Sequence, residues 1–207
     1  MPTKGNTVFI IDDDASVRDA LALSLGLHDY PVLVFGDAES LLRAYRQEWR
    51  GCLLIDIRMP GMDGLALQKR LLELGCRMPA IIMTGHGDIE AAREAFRAQA
   101  LDFLEKPLDL ERLRAALEEA FASQAKDSEE KERLAAFEHL LATLTPRERE
   151  IMDHVVGGRH NREIAASLGI SARTVEVHKA HLQAKLRVEN LPDLVRLSLL
   201  ASGVTRR

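Results

Sequence analysis

The sequence predicts an α/β fold, a doubly wound five-stranded parallel sheet, followed by an all-α four-helix domain. Three observations carry this. Short apolar runs alternate with amphipathic stretches of helical length over the first 124 residues. Acidic and polar side chains stand where the runs end. The last 64 residues lack such runs and reverse the sign of the charge.

The apolar runs lie at 8–11, 32–35, 52–55, 80–83 and 101–104, and the amphipathic stretches at 16–27, 39–47, 65–74, 89–98 and 109–121. Strands that are continuously apolar, without alternation, are buried on both faces, as in a parallel sheet covered by helices. The right-handed crossover rule then leaves few topologies.

The chain has 207 residues, enough for one large domain or two small ones, and 46% of them are hydrophobic. The N-terminus reaches the first apolar run within seven residues and then meets Asp12-Asp13-Asp14, which is too short and too acidic for a signal peptide. No apolar run approaches a membrane span. The expectation is a cytoplasmic protein whose two cysteines, Cys52 and Cys76, are reduced and packed. Residues 1–124 hold 14 Lys and Arg against 20 Asp and Glu, whereas residues 144–207 hold 11 against 7. A basic tail behind an acidic first domain points to different partners, an anion for the tail.

At the ends of the runs stand Asp12 and Asp13, Asp56, Thr84 and Lys106. Open parallel sheets bind ligands in the crevice at the carboxyl ends of their strands. Three carboxylates in one crevice repel each other unless a cation compensates, and magnesium suits them as a hard, oxygen-seeking ion. One carboxylate can then serve as nucleophile toward a phosphoryl group, with the lysine helping to neutralise charge. Asp14 is expected only to open the first helix. Taken singly, each of these residues could equally be a solvated loop residue or a cap.

Four segments, Asp12-Asp13-Asp14, Asp56-Ile57-Arg58-Met59-Pro60-Gly61-Met62-Asp63-Gly64, Met83-Thr84-Gly85-His86-Gly87 and Lys106-Pro107, resemble the receiver domain of bacterial response regulators, a flavodoxin-like fold. The resemblance implies that Asp56 is the phosphoacceptor and that magnesium is held by Asp12, Asp13, Asp56 and the backbone carbonyl of Arg58. It implies that Thr84 bonds the phosphoryl group, that Lys106 pairs with it, and that Phe103 is the aromatic switch residue. It also implies a cis Lys106-Pro107 bond and pairing of two receivers through the 89–98 helix, the following strand and the last helix.

Residues 122–142 lack Pro and Gly and are expected to form a helical linker between a first domain over 1–121 and a tail over 143–207. Leu134, Phe137, Leu141 and Leu144 form a short heptad-like seam, which fits either a coiled coil or packing onto the chain's own domains. Thr145-Pro146-Arg147-Glu148 reads as a capping box with proline in the first turn. Gly157-Gly158 ends that helix, Asn161 is expected to cap the next, and Ser171 the third. A Gly turn at Leu168-Gly169-Ile170-Ser171 between the second and third helices describes a helix-turn-helix. The third helix turns Val175, His178, Leu182 and Leu186 inward. It offers Arg173, Thr174, Glu176, Val177, Ala180 and His181 outward, with Lys179 and Lys185 on its flanks. Glu176 could accept from a cytosine or simply be solvated, and Val177 could meet a thymine methyl.

Leu144-Thr145-Pro146-Arg147-Glu148, Asn161-Arg162-Glu163-Ile164-Ala165 and Thr174-Val175-Glu176-Val177-His178 resemble the LuxR-type DNA-binding domain. Together the two halves resemble the FixJ/NarL class, closest to the FixJ branch. The resemblance implies a non-enzymatic, cytoplasmic transcription regulator of a two-component system. Its partners are a sensor histidine kinase, a second copy upon phosphorylation, the major groove of double-stranded DNA, and RNA polymerase as a further candidate. The DNA contacts are expected at Asn161, Arg162, Ser171, Arg173, Thr174, Glu176, Val177, Lys179, Ala180 and Lys185. Two rivals are a magnesium-dependent phosphohydrolase with Asp56 as nucleophile, and a LuxR-type regulator that senses a small molecule.

Overall fold

The computed structural model describes residues 7–85 and 100–203. The helix expected over 89–98, with the His86-Gly87-Asp88 end of its motif, lies outside the described residues. In chain order the elements are β1 (Thr7–Ile11), α1 (Ala15–Gly26), β2 (Val32–Phe35), α2 (Ala38–Ala44), β3 (Gly51–Asp56), α3 (Gly64–Glu73), β4 (Ala80–Thr84) and β5 (Asp102–Glu105). Then follow α4 (Leu110–Leu141), α5 (Pro146–Val156), α6 (Asn161–Leu168), α7 (Ala172–Leu186) and α8 (Leu191–Ala201).

The five strands are all parallel in the order β2-β1-β3-β4-β5, a doubly wound sheet. Alternate residues of its strands feed two cores. Phe9, Ile11, Leu53, Ile55 and Ile82 pack with Leu41 of α2 and Leu67 and Leu71 of α3. Val8, Ile10, Leu54, Ile81 and Met83 pack on the other face with Leu21 and Leu25 of α1 and Leu113 and Leu117 of α4. Burial on both faces is why β1, β3 and β4 read as unbroken apolar runs, whereas β2, at the edge of the sheet, leaves Val34 exposed.

Some boundaries differ from the sequence reading. Helix α2 stops at Ala44, three residues early. Tyr45 turns to an extended conformation, and the Arg46 guanidinium takes the carbonyls of Arg43, Ala44 and Tyr45. Strand β3 includes Asp56 as its last residue, because Asp56 is still in register with Met83.

The chain divides into two compact units, one through Asp127 and one from Ser128. Helix α4 runs unbroken to Leu141, since no Pro or Gly occurs between Pro107 and Pro146 and strong helix formers fill its middle. Within the second unit, Phe137 and Leu144 are buried, and Leu134 and Leu141 pack on the same core as Ile151, Ile164, Val175, Leu182 and Leu194. The seam over 134–144 thus packs into the tail's own core. No helix among the described residues is long and apolar enough to cross a membrane.

Candidate functional site

The sheet order reverses between β1 and β3, and that is where the acidic cluster sits. Asp12 follows β1 directly and is fully buried, and Asp56 ends β3 almost fully buried. Asp12 continues the alternation of Val8 and Ile10, and Asp56 that of Cys52 and Leu54, so both carboxylates emerge on the α1/α4 face. Lys106 continues the alternation of Leu104 onto the same face. Its ammonium donates to Asp12 Oδ2 at 2.7 Å and to Asp56 Oδ2 at 2.9 Å. Carboxylate oxygens of Asp12, Asp13 and Asp56 lie within 4.8 Å of one another. The Lys106-Pro107 bond is cis.

Burial pushes the Asp56 carboxyl above its ordinary range, and the Lys106 hydrogen bond opposes this without overcoming it. For Lys106 burial acts to lower the value, but its hydrogen bonds to Asp12 and Asp56 prevail and raise it. The crevice therefore holds more negative charge than its lysine satisfies. Oxygen donors this close, one of them exposed, fit a hard divalent cation.

The loops are shaped around these groups. Asp12 Oδ1 accepts from the Asp14 N–H at 2.9 Å, and Asp14 caps α1 through Ser16 N–H. The Arg58 N–H reaches Asp56 Oδ1 at 3.4 Å, while the Arg58 side chain is exposed. Asp63 caps α3 through Ala66 N–H, and Gly64 donates to the Ile57 carbonyl. A Cβ on Gly64 would lie 2.2 Å from the Asp56 carbonyl oxygen, so only glycine lets the loop approach.

Thr84 and Phe103 belong to the opposite face. Thr84 ends β4 buried, and its hydroxyl donates to the Gly85 carbonyl at 3.1 Å, not to Asp56. Phe103 pairs in register with Ile82 and packs half-buried against the α2/α3 core. The sequence reading missed Arg18. Its guanidinium donates to the Asp12 carbonyl at 2.7 Å and lies beside Gly36. Its place, on the second turn of a helix that starts beside Asp12, was the available signal. Beside the cluster, Val17, Ala20, Leu21 and Ser24 of α1 form a groove with Pro107 and Leu108.

In the tail, Thr145 and Glu148 form the capping box of α5. Gly169 ends α6 in the left-handed conformation at φ 66°. Ser171 caps α7 by accepting from Thr174 N–H, and its hydroxyl also bonds the Thr174 hydroxyl. One expectation needs correction: Asn161 is the first residue of α6, and the cap is His160. The His160 N–H donates to the Glu163 carboxylate, and the Asn161 side-chain oxygen instead accepts from Lys179. Arg162, Arg173, Glu176, Val177, Ala180 and His181 are exposed, and His178 is half-buried beside Val175 and Leu182. Lys185, on the flank of α7, donates its ammonium to Glu148 Oε2 at 2.7 Å.

Comparison with known proteins matches residues 8–118 to the response regulator receiver domain and residues 142–198 to the bacterial regulatory proteins of the luxR family. The transcriptional regulatory protein FixJ of Bradyrhizobium diazoefficiens is 41% identical over 202 residues, covering 97% of this chain and 98% of its own. That of Rhizobium meliloti is 40% identical over 197 residues, covering 93% and 95%. Among solved structures, the response regulator StyR aligns with a TM-score of 0.71 at 37% identity, covering 94% of this chain and 98% of its own. Full-length FixJ from B. japonicum aligns at 0.60 with 39% identity, covering 98% and 99%. A receiver fold joined to a helix-turn-helix tail, matched end to end by these regulators, places the chain among the FixJ/NarL-class response regulators with a LuxR-type DNA-binding domain.

Proposed function

We propose that the chain is switched by phosphorylation of Asp56 and acts by binding DNA, not by turnover of a small substrate. The observation that carries this is the buried Asp12–Asp56–Lys106 cluster with Asp13 at its rim. A sensor histidine kinase is the donor. An Asp56 oxygen attacks the phosphorus of a phosphohistidine, the P–N bond breaks as the P–O bond forms, and the electron pair stays on the imidazole. The groove between α1 and the Pro107–Leu108 loop adjoins this point and suits the approach of the kinase. Asp12, Asp13, Asp56 and the Arg58 carbonyl would hold magnesium, which neutralises charge on the transferring group.

Lys106, already beside Asp56, pairs with the new phosphoryl oxygens. Phosphorylation adds about -1.5 to -2 charge and three strong acceptors. The Thr84 hydroxyl leaves the Gly85 carbonyl for one of them, and Phe103, on the same face, fills the space behind it. Receivers over 1–121 then pair. Two tails over 143–207 place their α7 helices in the major groove at half-sites about 34 Å apart. Arg162 and Arg173 meet phosphates there, Glu176 and Val177 face the base edges, and RNA polymerase is the downstream partner. The chain works in the cytoplasm.

Intact-mass analysis after incubation with acetyl phosphate and magnesium tests the reading. One added phosphoryl group is expected, absent in Asp56→Asn, with dimer formation by sedimentation only in the wild type. No adduct, or one on another residue, overturns it.

A further inference from the structure

Two consecutive residues of α5 each hold one helix of the helix-turn-helix. Arg147 donates to the carbonyl of Leu168, the last residue of α6, at 2.9 Å. Glu148 Oε2 accepts from Lys185, in the last turn of α7, at 2.7 Å. The same oxygen accepts from the Thr145 N–H at 2.8 Å and the Thr145 hydroxyl at 3.0 Å. The carboxylate is therefore held by its own capping box as well as by the lysine. These donors, Lys185 first and then Thr145, hold the Glu148 carboxyl down at about 2. Lys185 also lies twelve residues beyond Arg173, about 18 Å along the axis at 1.5 Å per residue. Recognition helices present their N-terminal residues to the bases.

We propose that Lys185 is a positioning residue for DNA recognition and makes no phosphate contact: Glu148 and Arg147 together form a brace from α5 that sets the angle between α6 and α7. The inference deepens the DNA-binding reading above and rests on it. Lys185, the last cation of α7, is withheld from DNA so that Arg173, Glu176 and Val177 at its first turns enter the groove at a fixed angle. Pairwise couplings of this kind are worth enough to shift binding about fivefold.

The test uses the full chain, phosphorylated with acetyl phosphate and magnesium, on the duplex that the wild type selects from a random pool, with affinity measured over a range of salt. Each phosphate contact contributes about 0.9 to the slope of log affinity against log salt. Lys185→Gln is expected to bind about fivefold more weakly with an unchanged slope, and Arg173→Gln to lose about one phosphate's worth of slope. The exchange Glu148→Lys with Lys185→Glu is expected to restore affinity relative to either single change, and circular dichroism verifies that each variant is folded. Lys185→Met keeps the packed stem and is expected to behave as Lys185→Gln does. A slope reduced by Lys185→Gln, or wild-type affinity in that variant, overturns the brace. No binding of any duplex by the phosphorylated wild type overturns the DNA-binding reading itself.

Discussion

Lys106 and Lys185 each hold a carboxylate oxygen at 2.7 Å, and the two contacts have opposite electrostatic character. In the crevice the partners are buried, with the Asp12 side chain 0% and the Asp56 side chain 9% exposed, and burial wins: the Asp56 carboxyl is pushed up despite the lysine. In the tail the Glu148 side chain is 20% exposed, and the donors win: its carboxyl is held at about 2. A buried pair with surplus negative charge is poised to take a further cation or to be esterified. A partly exposed pair whose carboxylate already holds the lysine and both Thr145 donors is structural. Distance alone would have equated the two; solvation separates them.

The largest effect should come from removing the lysine on the buried side. Lys106→Met leaves two buried carboxylates facing each other, and breaking a buried pair in this way costs about 3–5 kcal/mol. The same replacement at Lys185 is expected to cost about 1 kcal/mol or less, as for pairs nearer the surface. Trp49 is the sole tryptophan and stacks on Phe9 at 4.8 Å, so its emission during urea unfolding reports the receiver alone. Far-UV circular dichroism follows the tail as a second transition. Added magnesium should recover part of the Lys106→Met loss and none of the Lys185→Met loss. Equal losses at the two lysines would erase the contrast.

Gly64→Ala probes the backbone that presents the buried cluster. The new Cβ would meet the Asp56 carbonyl oxygen at 2.2 Å and Ile55 Cγ2 at 2.9 Å, so the loop or the strand end must shift. Overpacking of this kind costs about 1–3 kcal/mol. The Trp49 transition should move to lower urea by that amount, and phosphorylation by acetyl phosphate should slow because the Asp56 backbone is displaced. A variant with both properties unchanged would show that the contact is not tight.

The same two regions differ in how far the sequence announced them. The middle of the sheet was legible because burial on both faces writes unbroken apolar runs, and the crevice because Asp12, Asp56, Thr84 and Lys106 stand at run ends. Caps that use a side chain's own local reach, at Asp14, Thr145 and Ser171, were legible from spacing. Interactions between distant segments were not. Nothing in the sequence around Lys185 says that Glu148 faces it 37 residues away, or that Arg147 reaches the end of α6. Asn161 looked like a cap by residue type, but the turn into α6 falls one residue earlier, and its amide oxygen serves Lys179 instead.

On the tail side, the capping box can be taken apart in steps. Thr145→Ala removes the side-chain acceptor for the Glu148 N–H and one donor to the Glu148 carboxylate. Loss of such a cap costs about 1 kcal/mol. The tail transition should fall accordingly while Trp49 emission unfolds as in the wild type. A shift in both transitions would mean that the cap is not a local feature of the tail.

The pair in the tail also carries a dependence on pH. Glu148 sits at about 2 in the folded chain, below the roughly 4.3 of an unperturbed glutamate. A carboxyl with a depressed folded value contributes its stability in full above the unfolded value, and loses it as the pH falls toward the folded one. Glu148→Gln keeps the shape of the side chain but cannot ionise. The difference in tail stability between the wild type and Glu148→Gln should therefore be constant above about pH 5, shrink between about 4.3 and 2, and vanish below. The wild type should lose stability with acid more steeply than the variant over that window. No difference between the two at neutral pH would show that the glutamate acts through shape and hydrogen bonding, and not through its charge on Lys185.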